Sequence, residues 1–230
     1  MSEPPLHVIS SMATREVLRE LASNYAKATH CKVDTEAAGG VDVAKRVERG
    51  DALEVVVLAS NAIDKLITGG KILAGSRVDL VQSGIAIAVR ARTPKPSIGT
   101  EDELRRAVLR AKTLSYSTGP SGTHLEKTFE RWGILTEIRP RIVVPPPGVP
   151  VGSLVASGAA ELGFQQLSEL ANLPGVEVVG PLPPPVQTLT IFSGAIATNC
   201  RRPDAARALL TFMAAPAAAS VKRRHGMEPA

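Results

Sequence analysis

Three strand-to-helix turns in this chain share a composition suited to holding an anion. Ser10-Ser11 follows an apolar strand at Leu6 to Ser10, and Ala59-Ser60 follows the run Leu53 to Leu58. The third, Ser117-Thr118-Gly119-Pro120-Ser121-Gly122-Thr123, follows a strand at Lys112 to Tyr116. At each turn a helix starts just past the C-terminal end of a strand. The first amides of a helix have no partner within it and carry the positive end of its dipole. Small residues let an anion approach that backbone, and serine hydroxyls add donors. The candidate ligand contacts are therefore Ser10, Ser11, Ser60, Ser117, Ser121, Gly122 and Thr123, with Met12 packing the pocket wall. The plainer alternative is that each serine caps its own helix. Gly119, Pro120 and Gly122 fix the backbone path of the third turn. That turn lacks the lysine of a phosphate-binding P-loop, which argues against a nucleotide.

Gln165 and Gln166 directly follow a strand read at Glu161 to Phe164, where amide N–H groups could reach a ligand oxygen. No Ser-His-Asp arrangement is apparent. His124 lies one turn into the helix opened by Ser121 and is the one imidazole near a candidate turn, available as a general acid or base or simply as a surface residue. Glu126 and Glu169 are the nearest carboxylates, on helix faces that read as solvated. Cys31 and Cys200, with His7, His30, His124 and His225, have no metal-ligand spacing, so neither a metal nor a cofactor is expected. Whether the two cysteines pair stays open at this level.

These groups need a scaffold, and the chain alternates strand-like and helix-like segments almost throughout, the pattern of an α/β protein with a mainly parallel sheet. Its 230 residues can bury a large core and begin to divide it. Aromatics are 3% against 44% hydrophobic residues, so the core is aliphatic and base-stacking surfaces are disfavoured. The net charge of +5 is spread over pairs such as Arg105-Arg106, Arg201-Arg202 and Lys222-Arg223-Arg224, which read as solvated helix faces, not as a nucleic-acid footprint. No apolar stretch of about 18 residues is present, so no membrane insertion is expected. Arg139 to Val144 reads as a strand before Pro145-Pro146-Pro147-Gly148, and Pro181 to Pro185 as a rigid extended segment. Two lobes are expected: residues 1–89 plus 191–230, and an inserted lobe at 90–190. Chain crossings near Arg90 to Pro94 and Val186 to Thr190 would form the hinge, with the candidate turns divided between the lobes.

The opening Ser10-Ser11-Met12, the segment Val55 to Ser60, and Ala215-Pro216-Ala217 leading to Gly226-Met227-Glu228-Pro229 resemble the molybdate-type solute-binding proteins of ABC transporters. The resemblance covers essentially the whole chain and implies a two-lobed type II periplasmic-binding-protein fold. The segment from Ala160 to Leu170, followed by Pro174 to Pro183, is similar to a subgroup of that family related to aconitate isomerase. Carried onto this chain, the resemblance implies ligand contacts from Ser10 or Ser11, Ser60, Ser121 and Gly122, and Gln165-Gln166. It also moves the expected ligand from a metal oxyanion toward a small carboxylate.

Two functions follow as expectations. One is a monomeric binding protein that closes on a small anion, a di- or tricarboxylate or an oxyanion such as molybdate, and serves an ABC permease if exported. The other is a cofactor-independent isomerase of a small unsaturated polycarboxylate, with His124 moving a proton. The polar, proline-containing start at Met1 to Pro5 does not read as a signal peptide, so the chain as written is expected in the cytoplasm, and in the periplasm if a leader has been removed.

Overall fold

A computed structural model describes residues 3–146 and 148–230; Met1 and Ser2 of the polar start, and Pro147 of the proline connection, lie outside the described residues. In chain order the elements are β1 (Leu6–Ser11), α1 (Arg15–Thr29), β2 (Val33–Ala38), α2 (Gly40–Arg49), β3 (Val55–Ala59), α3 (Ser60–Thr68), β4 (Val78–Arg90), α4 (Glu101–Arg110) and β5 (Leu114–Tyr116). There follow α5 (Pro120–Arg131), α6 (Leu135–Ile138), α7 (Val151–Ser157), β6 (Leu162–Gln166), α8 (Leu167–Leu170), β7 (Val176–Pro181), β8 (Leu189–Ile196), α9 (Pro203–Ala214), α10 (Ala219–Arg224) and β9 (Glu228–Pro229). The chain divides into two compact units, Met1–Gln82 with Ile191–Ala230, and Ser83–Thr190. It passes between them inside β4 and again inside β8. The first passage falls earlier than Arg90 to Pro94, which lies at and beyond the end of β4.

In the first unit β1 lies between β2 and β3 and is parallel to both, while β8 adds antiparallel to β3. The apolar run in β3 explains its central place. Val55 and Val57 enter one core with Leu6, Val8, Leu21 and Met213, while Val56 and Leu58 enter another with Ile9, Val43 and Ile63. A strand buried on both faces needs no polar alternation. Helix α1 buries Val17, Leu18, Leu21 and Tyr25, one face at helical spacing. Helix α2 closes on Gly50, whose φ of 88° is left-handed and suits glycine.

In the second unit β5 and β6 are parallel, and β4 pairs antiparallel with both β6 and β7. Antiparallel pairing thus enters through the strands that pass between units, whereas strands followed directly by helices lie parallel. Ile85, Ile87, Leu104, Val108, Phe129 and Phe164 form its main core. Helix α4 starts with a reciprocal capping box in which Glu103 N donates to Thr100 Oγ1 and Thr100 N to Glu103 Oε2, both at 3.2 Å.

Several local expectations are corrected. Arg139 to Val144 is not a strand: Arg139–Arg141 is a short 3₁₀ turn, followed by a single bridge between Leu114 and Ile142. Pro140 has no amide to give a ladder and its fixed φ suits the turn. Pro181 to Pro185 is not extended throughout, because the Pro183 carbonyl accepts from both Val186 N and Gln187 N. Gln187 rewards that reversal by lying along β4, its Oε1 accepting from Ile85 N at 3.0 Å and its Nε2 donating to Ile85 O at 2.9 Å. Strand β6 continues through Gln165 and Gln166, so the glutamines belong to the strand and do not follow it. The last helix begins as a 3₁₀ turn at Pro216–Ala218. Cys31 and Cys200 are free thiols.

The reading of Lys222-Arg223-Arg224 as solvated also fails at its first residue. Lys222 is 1% exposed, and burial lowers its pKa. Helix α10 buries Lys222 together with its neighbour Val221, which packs against the core. Lys222→Met keeps the stem and removes the charge, so it is expected to stabilise the protein by about 1 kcal/mol or more at neutral pH. Because the folded state lowers the lysine pKa, that gain is full below the folded value and fades as pH rises from there to the unfolded one. Urea denaturation at neutral and alkaline pH checks it; a lower midpoint at neutral pH contradicts the assignment.

Candidate functional site

In the first unit, Ser10 and Ser11 end the middle strand of the parallel set. Their register places Ser10 beside Ala37 and Val57, and Ser11 beside Ala38. The strand ends of β1, β2 and β3 therefore meet at one edge, where a 3₁₀ turn (Met12–Thr14) leading to α1, helix α2 and helix α3 begin. Ser10 is 2% exposed, and its Oγ donates to Ser11 O at 3.2 Å and to Glu36 O at 3.5 Å. Ser11 is also buried, yet its Oγ has no partner. Met12 is half-buried. A cavity of about 360 Å³ opens beside Ser10, bordered by Arg15, Glu16 and Arg19. Glu16 there pairs with Arg15 at 2.9 Å and with Arg19 at 2.5 Å.

The expectation that Ser60 caps α3 is corrected. The N-cap is Ala59, Ser60 is the first helical residue, and its Oγ donates to Ile191 O at 2.9 Å. The cap of α5 is Gly119, again without a side-chain acceptor. Ser117 and Ser121 bond each other instead, Oγ to Oγ at 2.8 Å. The plainer reading of these serines as helix caps thus fails at each turn, since Ser11 makes no cap bond either. Nor does a carboxylate compensate: α3 and α5 have no acidic residue in the first turn, whereas α1 has Glu16 and α2 has Asp42.

Gly122 explains why the third turn is built of small residues. A Cβ at this position would lie 1.6 Å from Ser117 O, so the start of α5 presses directly on the end of β5. Ser121 is 2% exposed. Thr123 is exposed and its hydroxyl returns to Gly119 O at 3.3 Å, which removes it from the donor set. By register Tyr116 pairs with Phe164, so Gln165 and Gln166 continue β6 beside Ser117 and Thr118. Successive strand residues face opposite ways, and the glutamines differ accordingly. Gln165 is engaged at both ends, donating from Nε2 to Glu169 at 2.7 Å and accepting at Oε1 from Gly152 N at 3.4 Å. Gln166 donates to Thr190 Oγ1 at 2.9 Å, while its buried Oε1 has no partner. A hydroxyl both donates and accepts, so half a turn of the amide keeps the Thr190 bond and presents an N–H instead.

His124 is half-buried, with Nε2 2.8 Å from Val186 O. A carbonyl only accepts, so Nε2 carries the proton and Nδ1 holds the lone pair of the neutral ring. Glu126 and Glu169 are not simply solvated: Tyr116 Oη donates to Glu126 Oε1 at 3.0 Å, and Glu169 holds Gln165. Residues that the sequence reading missed are Thr190, which holds Gln166, and Ser168, whose buried Oγ has no partner. Ser168 follows Gln166 by two positions at another strand-to-helix turn, and the Ser-led pattern applied there would have found it. Among the described residues no His, Cys, Asp and Glu cluster suits a metal ion, and no helix is long and apolar enough to cross a membrane.

Residues 6–228 match the family model of the bacterial extracellular solute-binding proteins. The chain belongs to that family. It is 38% identical over 232 aligned residues to aconitate isomerase of a Pseudomonas species, covering 97% of this chain and 87% of the relative. The periplasmic molybdate-binding protein of Azotobacter vinelandii superposes with a TM-score of 0.80 at 22% identity, covering 96% of this chain and 98% of that one. The sulfate-binding protein of Mycobacterium tuberculosis gives 0.80 at 15% identity, covering 99% and 87%. The α/β fold of this solute-binding protein is thus the type II periplasmic-binding-protein fold, shared with the molybdate- and sulfate-binding proteins, and in sequence the chain is related to aconitate isomerase.

Two measurements test the local geometry. Gly122→Ala cannot place its Cβ without displacing Ser117, and a loss of about 1–3 kcal/mol is expected from urea denaturation; an unchanged midpoint would contradict the close approach. Burial raises the pKa of both tyrosines in the chain, and the carboxylate of Glu126 raises Tyr116 further. A raised folded pKa means that the stability linked to each phenol is present below the unfolded value and lost as pH rises through the folded one. Ultraviolet titration of the folded protein should show no phenolate near the free tyrosine pKa of about 10, with ionisation coinciding with unfolding at higher pH.

Proposed function

We propose that the protein binds a small di- or tricarboxylate through neutral donors at its strand-to-helix turns. The single observation that carries this is that strand ends in both units leave polar groups unused: Ser11 Oγ and Gln166 Oε1 are buried without protein partners, and α3 and α5 lack both a capping side chain and an acidic first turn. A carboxylate supplies the acceptors that these amides and hydroxyls lack. The choice of carboxylate over metal oxyanion rests on the relationship to aconitate isomerase, and neutral donors make selectivity geometric, since each buried donor left unpaired by a wrong ligand costs about 1–3 kcal/mol. Exported to the periplasm, such a protein would deliver its ligand to an ABC permease.

One feature favours a second reading as an isomerase. With Nε2 held by Val186, His124 keeps Nδ1 as a positioned base. It would take a proton from the carbon next to a carboxylate of an unsaturated acid. The resulting negative charge would spread onto the carboxylate oxygens and be stabilised by the helix amides. Return of the proton at the far end of the allylic system would complete the shift.

A thermal-shift panel of molybdate, sulfate, phosphate, citrate and trans-aconitate tests the ligand class. Stabilisation by the carboxylates, reduced in Ser11→Ala and Gln166→Leu by about tenfold in affinity, is expected; stabilisation by molybdate alone would overturn it. Trans-aconitate followed by ultraviolet absorbance separates the readings. Turnover that His124→Ala lowers by about a hundredfold or more establishes the isomerase, and stabilisation without turnover establishes the binder.

A further inference from the structure

A cavity of about 800 Å³ lies wholly within the second unit, bordered by β4, α4 and the segments that lead into β5 and β6. Leu114 and Leu162, the first residues of β5 and β6, pair in register, and Lys112 and Glu161 stand just before them. Arg90 ends β4, which runs antiparallel to β6. The cavity is therefore at the opposite end of this sheet from Ser117, Gln165 and Gln166, and its chemistry is different.

Its charged residues are Arg90, Lys95, Arg106, Arg110 and Lys112, opposed by Glu103 and Glu161. Both carboxylates are already tied to backbone, Glu103 to Thr100 N at 3.2 Å and Glu161 to Lys112 N at 2.6 Å. Lys95 sits 3.5 Å from Glu177. Arg90, Arg106, Arg110 and Lys112 have no ion-pair partner among the described residues. Arg106 and Arg110 are one helical turn apart, a like-charge spacing that weakens a helix unless something neutralises it. The C-terminal carbonyls of α4 are not the counter-charge, since Arg141 Nη1 donates to Leu109 O at 2.8 Å and Ala111 O at 2.7 Å.

We propose that this cavity is a second anion site, for a small molecule carrying two or more linked phosphate groups. Guanidinium forks match phosphate oxygens in paired hydrogen bonds, and several of them around one cavity exceed what a single carboxylate requires. The volume lies within the range of small-molecule sites. This site is independent of the carboxylate reading above.

Isothermal titration with inorganic tripolyphosphate and with orthophosphate, at low and at physiological salt, tests it, with ATP as a further arm. Saturable binding of tripolyphosphate, much weaker for orthophosphate, is expected, and Arg106→Ala/Arg110→Ala should lower it at least about tenfold with no loss of melting temperature. Equal binding of ATP marks a nucleoside polyphosphate as ligand; binding of tripolyphosphate without ATP marks a free polyphosphate. Absence of saturable binding, unchanged affinity in the double variant, or loss of affinity in Gln166→Leu would overturn the assignment.

Discussion

The constraint on which the candidate site depends is the unpaired amide. A helix that begins at the end of a strand exposes N–H groups that its own carbonyls cannot reach. Most chains answer with a serine, threonine or aspartate at the cap, and this chain does so at α4 with Thr100 and Glu103. At α3 and α5 it does not. The serines are present in the sequence, but one position off or turned elsewhere: Ser60 holds Ile191, and Ser117 holds Ser121. Other helices also begin without a side-chain cap, so what sets α3 and α5 apart from α1, α2 and α9 is the lack of an acidic residue in the first turn. Each unit carries one such uncapped start, and each also holds a buried polar atom without a protein partner, Ser11 Oγ in one and Gln166 Oε1 in the other.

The sequence made the fold legible because periodicity and punctuation agreed along most of the chain. The valine run of β3, the face of α1, the capping box at Thr100 and the left-handed Gly50 each have one physical reading. Errors fell where a side chain far away in sequence decides the local path. Pro181 to Pro185 favours an extended chain locally, but the amide of Gln187 completes the pairing of Ile85 only if the backbone reverses first. Lys222 reads as solvent-facing until the packing of α10 is known. In both cases the deciding contact is long-range and has no spacing rule.

The site was legible in outline and not in detail for a similar reason. Composition located strand-to-helix turns, because small residues at strand ends are a local signal. It could not separate Gln165 from Gln166. Their adjacency suggested a pair acting together, yet strand geometry sends them to opposite faces, one to Glu169 and Gly152 and the other to Thr190. The small residue at Gly122 has a firmer cause than flexibility, since no Cβ fits against Ser117 O. Ser168 escaped notice because α8 is too short to announce a helix start.

Binding and isomerisation make different demands on this arrangement. A receptor gains by holding the ground state of its ligand, whereas an enzyme accelerates a step only through interactions that strengthen as charge develops. Amides at a helix start serve both ends, since they solvate a carboxylate and stabilise the added charge of an enediolate more strongly still. The step from one function to the other then needs little new structure: a base held at a fixed angle, with its other ring nitrogen anchored. The bond from His124 to Val186 supplies that anchor through the turn that Gln187 maintains. The same long-range amide that redirects the proline segment therefore also sets the orientation of the one imidazole near the third turn, tying a feature of the fold to the chemistry open to the protein.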